Sequence, residues 1–234
     1  CKINANLPWM RKHYNWPDLP KGYQNTMSGP HAVPLGVNGK FEGITIESMH
    51  MEEDPAAWDP KTGAVDYNRS GLPLVEIVTA PDFKTADEVH SWVGKLVHAL
   101  SYLKAVDTNA GVKADVNVSL IEDDGKQKTE RVEIKNITSI DAMKSAVLFE
   151  FERQLKEGSV RETRRFDEAK GVTMRMRGKE QADDYRFIVD PDLRSVILSD
   201  KFILEQKKLI PELPSAKLDK LIKKYKISPR DADV

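Results

Sequence analysis

The stretch DYNRSGLPLVEIVTAPD, from Asp66 to Asp82, decides how the rest of the chain is interpreted. Its centre, residues 72–78, is apolar and rich in β-branched residues, which predicts a strand, and Glu76 is the charged residue within it. Pro73 stands at the start, where a strand tolerates a missing N–H group. A buried carboxylate needs a cation, a metal or hydrogen-bond donors. Glu76 therefore lies either on the solvated face of an edge strand or in a site, where a metal is the expected partner.

Length and composition limit the number of domains and the class of protein. The chain has 234 residues, enough for one large domain or for one domain and part of a second. With 36 Lys and Arg against 37 Asp and Glu, it is not a globally basic nucleic-acid-binding protein, so an RNA partner would meet a local patch. The single Cys1 excludes an intramolecular disulfide within these residues. No apolar run reaches membrane-spanning length, so we expect a cytoplasmic protein, and an organellar location stays open.

Two segments near the start carry candidate site residues. WMRKHYNWPDLPKGYQ (residues 9–24) interleaves rings with cations, including Lys12, and either binds phosphate or a base or simply packs its aromatic side chains together. FEGITIESMHMEED (residues 41–54) alternates like a strand and ends in three acids, among them Glu53, close to His50. Such a cluster is either a solvated turn or a hard-cation site, and the neighbouring histidine favours the cation site.

The segment VKADVNVSLI (residues 112–121) alternates strictly between apolar and polar residues. A turn at residues 122–126, EDDGK, predicts a hairpin to a second strand at residues 131–135. If the polar faces of both strands coincide, Asp115, Asn117, Glu133 and Lys135 share one surface. Carboxylate, amide and ammonium groups of this kind hold Mg²⁺ and phosphates, although an ordinary solvated sheet face has the same pattern.

Six arginines fall within residues 161–186, around a strand predicted at residues 172–177. They are Arg161, Arg164, Arg165, Arg175, Arg177 and Arg186. Arginine binds phosphate oxygens through two parallel N–H groups, so this cluster is a candidate phosphate site. Glu162 and other interspersed acids could instead pair with these arginines as surface ion pairs.

Helices are predicted at four places. The capping box Thr85–Glu88 begins one helix, and Ser139 begins a second, whose apolar stripe is Ile140, Met143, Val147, Phe151 and Leu155 and which ends at Gly158. Two short basic amphipathic helices follow at residues 201–208 and 215–225. We therefore predict one domain over residues 1–204 and the start of a helical domain over residues 205–234.

No Walker loop, dinucleotide fingerprint or kinase signature is present in the sequence. The strand-borne acids and arginines would suffice for phosphoryl transfer, with carboxylates holding Mg²⁺ on nucleotide phosphates. Periodicity alone thus predicts an α+β domain with a largely antiparallel sheet and possible ATP chemistry.

Several motifs, in order along nearly the whole chain, closely resemble one family. They are RKHYNWPDLPKGYQ (11–24), HMEEDP (50–55), VDYNRSGLPLVEIVTAPD (65–82), ADVNVSL (114–120), RVEIKNITSI (131–140), the segment 161–193 and PELPSAKLDKLIKKYKISPRDADV (211–234). The family is the B subunit of the tRNA-dependent amidotransferase (aspartyl/glutamyl-tRNA(Asn/Gln) amidotransferase), with the archaeal E subunit as its paralogue.

This resemblance implies a cradle domain similar to the catalytic core of glutamine synthetase, followed by a helical domain. It implies a carbon–nitrogen ligase that uses ATP and Mg²⁺ to phosphorylate the side-chain carboxylate of Glu-tRNA(Gln) or Asp-tRNA(Asn). Ammonia released from glutamine by an amidase A subunit then displaces the phosphate, and a small C subunit joins heterotrimeric forms. The family's N-terminal strand, with a Glu-x-His pair, would precede residue 1, so we expect this piece alone to be inactive.

The resemblance also assigns roles to residues. Glu53 and Glu76 match metal and channel-mouth acids, and Lys12 matches a channel-lining lysine, so these three are the catalytic candidates. Asp115 is a further metal candidate. The nucleotide candidates that match by motif are Asn117, Glu133 and Lys135. Positive charge more than motif adds Arg175 and Arg177 to the nucleotide candidates and makes Arg164 and Arg186 the candidates for tRNA phosphate contacts.

Two departures from the family pattern and two alternative functions remain. Ala56 stands where the family usually has glycine, and NAGVKADVN lacks the usual Glu-Gly-Ser before its strand. The chain could be a non-catalytic scaffold that docks tRNA, or it could hydrolyse nucleotides without tRNA. The joint presence of Glu53, Glu76 and Asp115 favours the phosphorylating subunit over the scaffold.

Overall fold

A computed structural model of the chain describes residues 1–107, 112–176, 185–228 and 231. Before the first helix, the described strands are β1 (Lys2–Ile3), β2 (Asn6–Leu7), β3 (Met10–His13), β4 (Tyr23–Thr26), β5 (Gly36–Phe41), β6 (Ile44–Glu53), β7 (Ala57–Trp58), β8 (Val65–Asp66) and β9 (Pro73–Thr79). Then come α1 (Ala86–Tyr102), β10 (Ala114–Val118), β11 (Val132–Ile137), α2 (Ile140–Glu157), β12 (Glu162–Asp167), β13 (Val172–Arg175), β14 (Ile188–Val189), β15 (Val196–Ile197), α3 (Asp200–Leu209) and α4 (Pro214–Tyr225).

The chain divides into two compact units. The first contains Cys1–Asp82 and Gln181–Leu209, and the second contains Phe83–Glu180 and Ile210–Val234. The mixed α+β class with antiparallel sheets is confirmed. The domain boundary at residue 205 stays a prediction. None of the helices among the described residues is long and apolar enough to cross a membrane.

A seven-stranded antiparallel sheet forms the first unit, with the ten-residue strand β6 at its centre. The strands follow the order β1-β5-β6-β4-β3-β14, and β9 pairs with β6 outside this path. β9 covers the stretch around Glu76, which confirms the strand predicted there. Because β9 pairs with β6 from Ile46 to Glu53, both acidic segments of the sequence lie on neighbouring strands.

A four-stranded sheet in the order β10-β11-β12-β13 forms the second unit together with α1 and α2. Only the β11–β12 pair is parallel among these strands. Val132 and Ile134 of β11 are fully buried and pack with α2 residues such as Ala146 in one apolar core. The alternation along β11 therefore sends its apolar residues toward the helices and its charged residues to the opposite face.

Both long helices begin at the predicted caps. The side chain of Thr85 accepts a hydrogen bond from the N–H of Glu88 in a complete capping box, and Ser139 accepts one from the N–H of Ala142. Gly158 ends α2 with a φ of 69°, a backbone conformation that favours glycine.

The stripe predicted for α2 is only partly correct. Phe151 and Leu155 are 45% and 52% exposed, whereas Glu150 and Gln154 are buried. The buried side of α2 is polar in its second half. There Gln154 accepts a hydrogen bond from Thr129, and Glu150 accepts one from Thr173.

Candidate functional site

The four polar residues predicted to share a surface of the second unit do so. β10 and β11 pair with Asn117 opposite Glu133. Both residues lie on the face of the sheet opposite to the buried Val132 and Ile134. The Lys135 Nζ lies 3.3 Å from Asp115 Oδ2 and 3.4 Å from Glu133 Oε1. We call Asp115, Asn117, Glu133 and Lys135 the acid–lysine face. Asn117 and Glu133 are held opposite each other by the strand register, whereas Asp115 lies where the β10–β11 register shifts, between Ala114 and Val116.

The electrostatics of the acid–lysine face keep its lysine charged. Partial burial works to lower the pKa of Lys135, but the charges and hydrogen bonds of Asp115 and Glu133 outweigh it, and the pKa is raised. The side chains of Asp115, Lys135 and Glu133 are 52%, 40% and 35% exposed. This face thus offers hard oxygen ligands and a fixed ammonium group to solvent, the combination that binds Mg²⁺ and phosphate.

Two further residues lie on the same face: Thr163, which the sequence did not single out, and Arg165, a member of the predicted arginine cluster. Thr163 pairs with Glu133 across the β11–β12 ladder, and its Oγ1 donates to Glu133 Oε2 at 3.1 Å. Arg165 pairs with Lys135 and is exposed. The period-two alternation of residues 162–167 could have identified Arg165, because it separates this residue from its neighbour Arg164.

Arg164 and Arg175 lie on the opposite, helix-packed face of this sheet. Arg164 pairs in register with the buried Ile134, and Arg175 pairs with Arg164. Glu162 binds both: its Oε1 accepts from Arg164 Nη1 at 2.9 Å and its Oε2 lies 3.0 Å from Arg175 Nε. The predicted alternative, in which acids pair with these arginines, is thus confirmed at Glu162, but the Glu162 and Arg164 side chains are largely buried rather than on the surface. Arg177 lies outside the described residues.

In the first unit, the register separates Glu53 from Glu76. Glu76 stands directly opposite His50, whereas Glu53 stands opposite Pro73. Since residues directly opposite share a face and successive residues alternate, His50 and Glu52 share the face of Glu76, and Glu53 points to the other side. The structure therefore does not bring Glu53 and Glu76 together on one face.

The face that carries Glu76 holds a hydrogen-bonded carboxylate, Glu52. Its Oε1 accepts from Thr26 Oγ1 at 2.7 Å and from Ser28 Oγ at 2.9 Å, and its Oε2 accepts from Gln24 Nε2 at 3.4 Å. Thr26 pairs with Glu52 across the β4–β6 ladder. Glu52 is a further candidate that sequence reasoning passed over in favour of its neighbour.

His50 and Lys12 complete this face. His50 Nδ1 donates to the carbonyl oxygen of Met27 at 2.9 Å, because a carbonyl oxygen can only accept, and Nε2 lies 2.9 Å from Ser48 Oγ. Lys12 pairs with Gln24, which places it on the side of Thr26 and Glu52, and its Nζ lies 4.6 Å from the centre of the Tyr185 ring. We call Lys12, His50, Glu52 and Glu76 the β6 face.

Glu53 belongs to an ionic cluster on the other side of the sheet. Its Oε2 accepts from Lys21 Nζ at 2.6 Å and from the main-chain N–H of Asn25 at 3.2 Å. The Asn25 side chain in turn donates to Asp190 Oδ2 at 2.7 Å. Asp190 is 3% exposed and also binds Arg11 through Nε at 2.9 Å and Nη2 at 3.2 Å.

Asp190 is expected to make folding pH-dependent in acid. Burial works to raise the pKa of Asp190, but the Arg11 side chain and the Asp192 N–H outweigh it and lower the pKa to about 2. The stabilisation is complete above the unfolded pKa of 3.8 and is lost as the pH falls through about 2. A shift of this size corresponds to about 2 kcal/mol.

Urea denaturation between pH 6 and pH 2 measures this effect. The difference in unfolding free energy between wild type and Asp190→Asn should shrink across that window. The control is Asp192→Asn, since the Asp192 side chain is 80% exposed. Equal pH dependence in wild type and Asp190→Asn would contradict the assignment.

The remaining candidates divide between the units. Arg186 is exposed in the first unit, and its carbonyl oxygen accepts from His13 Nδ1 at 2.9 Å. Of the three predicted metal ligands, Glu53 and Glu76 belong to the first unit and Asp115 to the second. Within the part of the chain that the structure describes, no group of three or more His, Cys, Asp or Glu side chains is arranged to hold a metal.

Comparison with known proteins settles the family. A family model described as the GatB/GatE catalytic domain matches residues 1–204. The chain belongs to the GatB/GatE family. Every predicted site residue of this GatB/GatE chain, from Lys12 to Arg186, falls within the matched range. The family resemblance found in the sequence motifs is thereby confirmed.

Curated relatives of this GatB/GatE chain are named as the B subunit of an aspartyl/glutamyl-tRNA(Asn/Gln) amidotransferase. The protein of Methanocaldococcus jannaschii is 43% identical over an alignment 241 residues long, gaps included, that covers 100% of this chain and 50% of the relative. That of Methanothermobacter thermautotrophicus is 42% identical, covering 100% and 51%, and that of Methanopyrus kandleri is 42% identical, covering 97% and 48%. The chain spans about half the length of the curated relatives it matches.

Proposed function

We propose that this chain is the phosphorylating part of an amidotransferase that converts Glu-tRNA(Gln) or Asp-tRNA(Asn) into Gln-tRNA(Gln) or Asn-tRNA(Asn) for translation. The γ-phosphoryl group of ATP passes to the side-chain carboxylate of the amino acid, which gives ADP and an acyl phosphate. Ammonia attacks that carbonyl carbon, phosphate leaves, and the amide forms. Phosphorylation activates the side chain for attack by ammonia, because a free carboxylate is a poor electrophile whereas an acyl phosphate carries a leaving group.

The observation that carries this proposal is the acid–lysine face within a GatB/GatE catalytic domain. Asp115, Asn117 and Glu133 supply oxygen ligands suited to Mg²⁺, so the donor set fits the proposed ATP and Mg²⁺. Bound Mg²⁺ would neutralise charge on the nucleotide phosphates. Lys135, held charged by its two acids, would contact phosphate oxygens, and Arg165 on the same face is positioned to add a second cation.

The β6 face supports a second part of the proposal. Glu76 would hold metal or receive ammonia at the mouth of a channel, and Lys12 would line that channel, as the family resemblance implies. Glu52 shares the face of Glu76, so we include it beside Glu53 as a candidate for the role of the second acid. The hydrogen bonds from Thr26 and Ser28 would hold the Glu52 carboxylate in a fixed orientation.

Partners follow from the same proposal. An amidase A subunit would release ammonia from glutamine, a C subunit would complete heterotrimeric forms, and the acceptor end of tRNA would bind in the cradle. The likeness of that cradle to glutamine synthetase and a location in the cytoplasm are also part of the proposal.

Lys135→Met tests the nucleotide role of the acid–lysine face. We expect the KM for ATP in tRNA-dependent turnover by the assembled amidotransferase to rise about tenfold, because a charged hydrogen-bond partner contributes on the order of 1.5–3 kcal/mol. The fold should survive, since the Lys135 side chain is 40% exposed. Lys170→Met, at a 68% exposed lysine, is the matched control. An unchanged KM for ATP in Lys135→Met would remove Lys135 from the nucleotide site.

A further inference from the structure

An ion-pair network inside the second unit ends at one exposed guanidinium, that of Arg175. The Glu162 carboxylate lies 3.0 Å from Arg175 Nε, 2.9 Å from Arg164 Nη1 and 3.6 Å from Arg153 Nη2. Glu150 lies behind it, 2.6 Å from Arg153 Nη2 and 3.6 Å from Arg164 Nε. Glu157 lies on the solvent side of Arg153, 3.6 Å from its Nη1, so three carboxylates face three guanidinium groups.

Burial in this network decreases toward Arg175. The side chain of Glu150 is 0% exposed, and those of Glu162, Arg153 and Arg164 are 10%, 11% and 14% exposed. Arg175 is 66% exposed. The inner groups are thus fixed by packing and mutual charge, while the outermost guanidinium faces solvent.

The contact with Glu162 leaves most donors of Arg175 available. It involves Nε, and within the described ranges the structure gives the Nη1 and Nη2 groups of Arg175 no acceptor. A guanidinium held through one nitrogen presents its two outer amino groups as a planar fork, which matches the spacing of two phosphate oxygens. A free surface arginine would first have to lose its rotamer freedom to bind in this way.

The site lies apart from the acid–lysine face. Arg175 aligns with Arg164 and the buried Ile134 on the helix-packed face, whereas Asp115, Glu133 and Lys135 occupy the other face of the same sheet. A phosphate bound by Lys135 is therefore on the far side of the sheet from Arg175.

We propose that Arg175 forms a separate phosphate-binding site, that Glu162 is the positioning residue for it, and that the phosphate belongs to an RNA backbone. The choice of RNA over a nucleotide rests on the proposed function and on the separation of the two faces. The binding chemistry, a fork of N–H groups on phosphate oxygens, is the same for both sources. The buried Glu150–Arg164 pair anchors Glu162 from behind.

The test measures tRNA affinity and the KM for ATP in the full-length protein within its complex. Arg175→Gln should weaken tRNA binding about fivefold and lower the magnitude of its salt slope by about one, with the KM for ATP unchanged. Arg175→Lys keeps the charge without the fork and should lose about half of that effect on a logarithmic scale. Arg131→Gln, at another exposed arginine of this unit, is the control for loss of one charge.

Glu162→Gln separates positioning from general electrostatics. It makes the protein one unit more positive, so simple attraction predicts tighter tRNA binding, whereas loss of positioning predicts weaker binding with the salt slope retained. A thermal unfolding measurement accompanies this variant, and the Arg175 variants stand independently if Glu162→Gln folds poorly.

The outcomes separate the possible ligands. A rise in the KM for ATP with unchanged tRNA affinity in Arg175→Gln would assign the phosphate to a nucleotide and overturn the choice of RNA. If Arg175→Gln matches Arg131→Gln in both measurements, Arg175 binds no phosphate and the proposal is wrong. Binding of uncharged tRNA is measured without catalysis, so failure of the phosphorylation chemistry would leave this test readable.

Discussion

Replacing Glu150 with alanine is expected to destabilise the protein by about 3–5 kcal/mol, since removal of one partner from a buried ion pair leaves an uncompensated charge. Glu150 is fully buried and accepts hydrogen bonds from Arg153 Nη2 at 2.6 Å, Thr173 Oγ1 at 2.8 Å and Gln154 Nε2 at 2.9 Å. Without this carboxylate, Arg153 and Gln154 on α2 and Thr173 on β13 lose a hydrogen-bond acceptor. Urea denaturation at pH 7 measures the change in unfolding free energy.

Glu157→Ala is the matched control for Glu150→Ala. Glu157 also lies near Arg153, at 3.6 Å, but its side chain is 68% exposed, and such pairs contribute about 0–1 kcal/mol. Burial works to raise the pKa of Glu150, yet the Arg153 side chain and the other donors outweigh it and lower the pKa. The contribution of Glu150 is therefore present above its unfolded pKa of 4.5 and falls away in acid. Similar losses in both variants would show that the network contributes little.

Glu76→Gln is expected to reduce phosphoryl transfer to the aminoacyl-tRNA by about 10²-fold or more, because an amide cannot replace a carboxylate as an anionic ligand or proton acceptor. Glu76 is exposed on β9, opposite His50, so the substitution should leave the fold intact. Transfer of the γ-phosphate and affinity for tRNA are measured separately in the full-length complex.

Glu47→Gln supplies the control for Glu76→Gln. Glu47 is an exposed acid on β6, so it makes the same change of charge on the neighbouring strand. Unchanged transfer in Glu76→Gln would return Glu76 to a structural role and leave the acid–lysine face as the candidate site. Comparing Glu52→Gln with Glu53→Gln then shows which of these adjacent acids acts with Glu76.

Local patterns predicted the elements well. The apolar run around Glu76 is a strand, the alternation of residues 112–135 produces the acid–lysine face, and Thr85 and Ser139 cap their helices. Each of these features depends on residues close together in the sequence, where period and capping chemistry suffice.

The errors and omissions arise where neighbouring residues point to opposite sides. Glu52 and Glu53 are adjacent acids, and Arg164 and Arg165 are adjacent arginines, so composition treats each pair alike. The side that each residue takes depends on pairing with distant strands, such as His50 with Glu76 or Lys135 with Arg165. Charge alone therefore groups residues that lie on opposite faces of a sheet, whereas the strand register assigns each residue to its own face.

The most direct test of the account follows the γ-phosphate of labelled ATP in the full-length complex, without glutamine and with Glu-tRNA(Gln) or Asp-tRNA(Asn) present. We predict that the label passes to the aminoacyl group and that hydroxylamine, which intercepts acyl phosphates, converts the side-chain acyl phosphate to a side-chain hydroxamate and releases labelled phosphate. The same reaction with correctly acylated tRNA should show no transfer. ATP turnover that is independent of misacylated tRNA, or the absence of any labelled aminoacyl-tRNA, would contradict the proposed phosphorylation of the amino acid side chain.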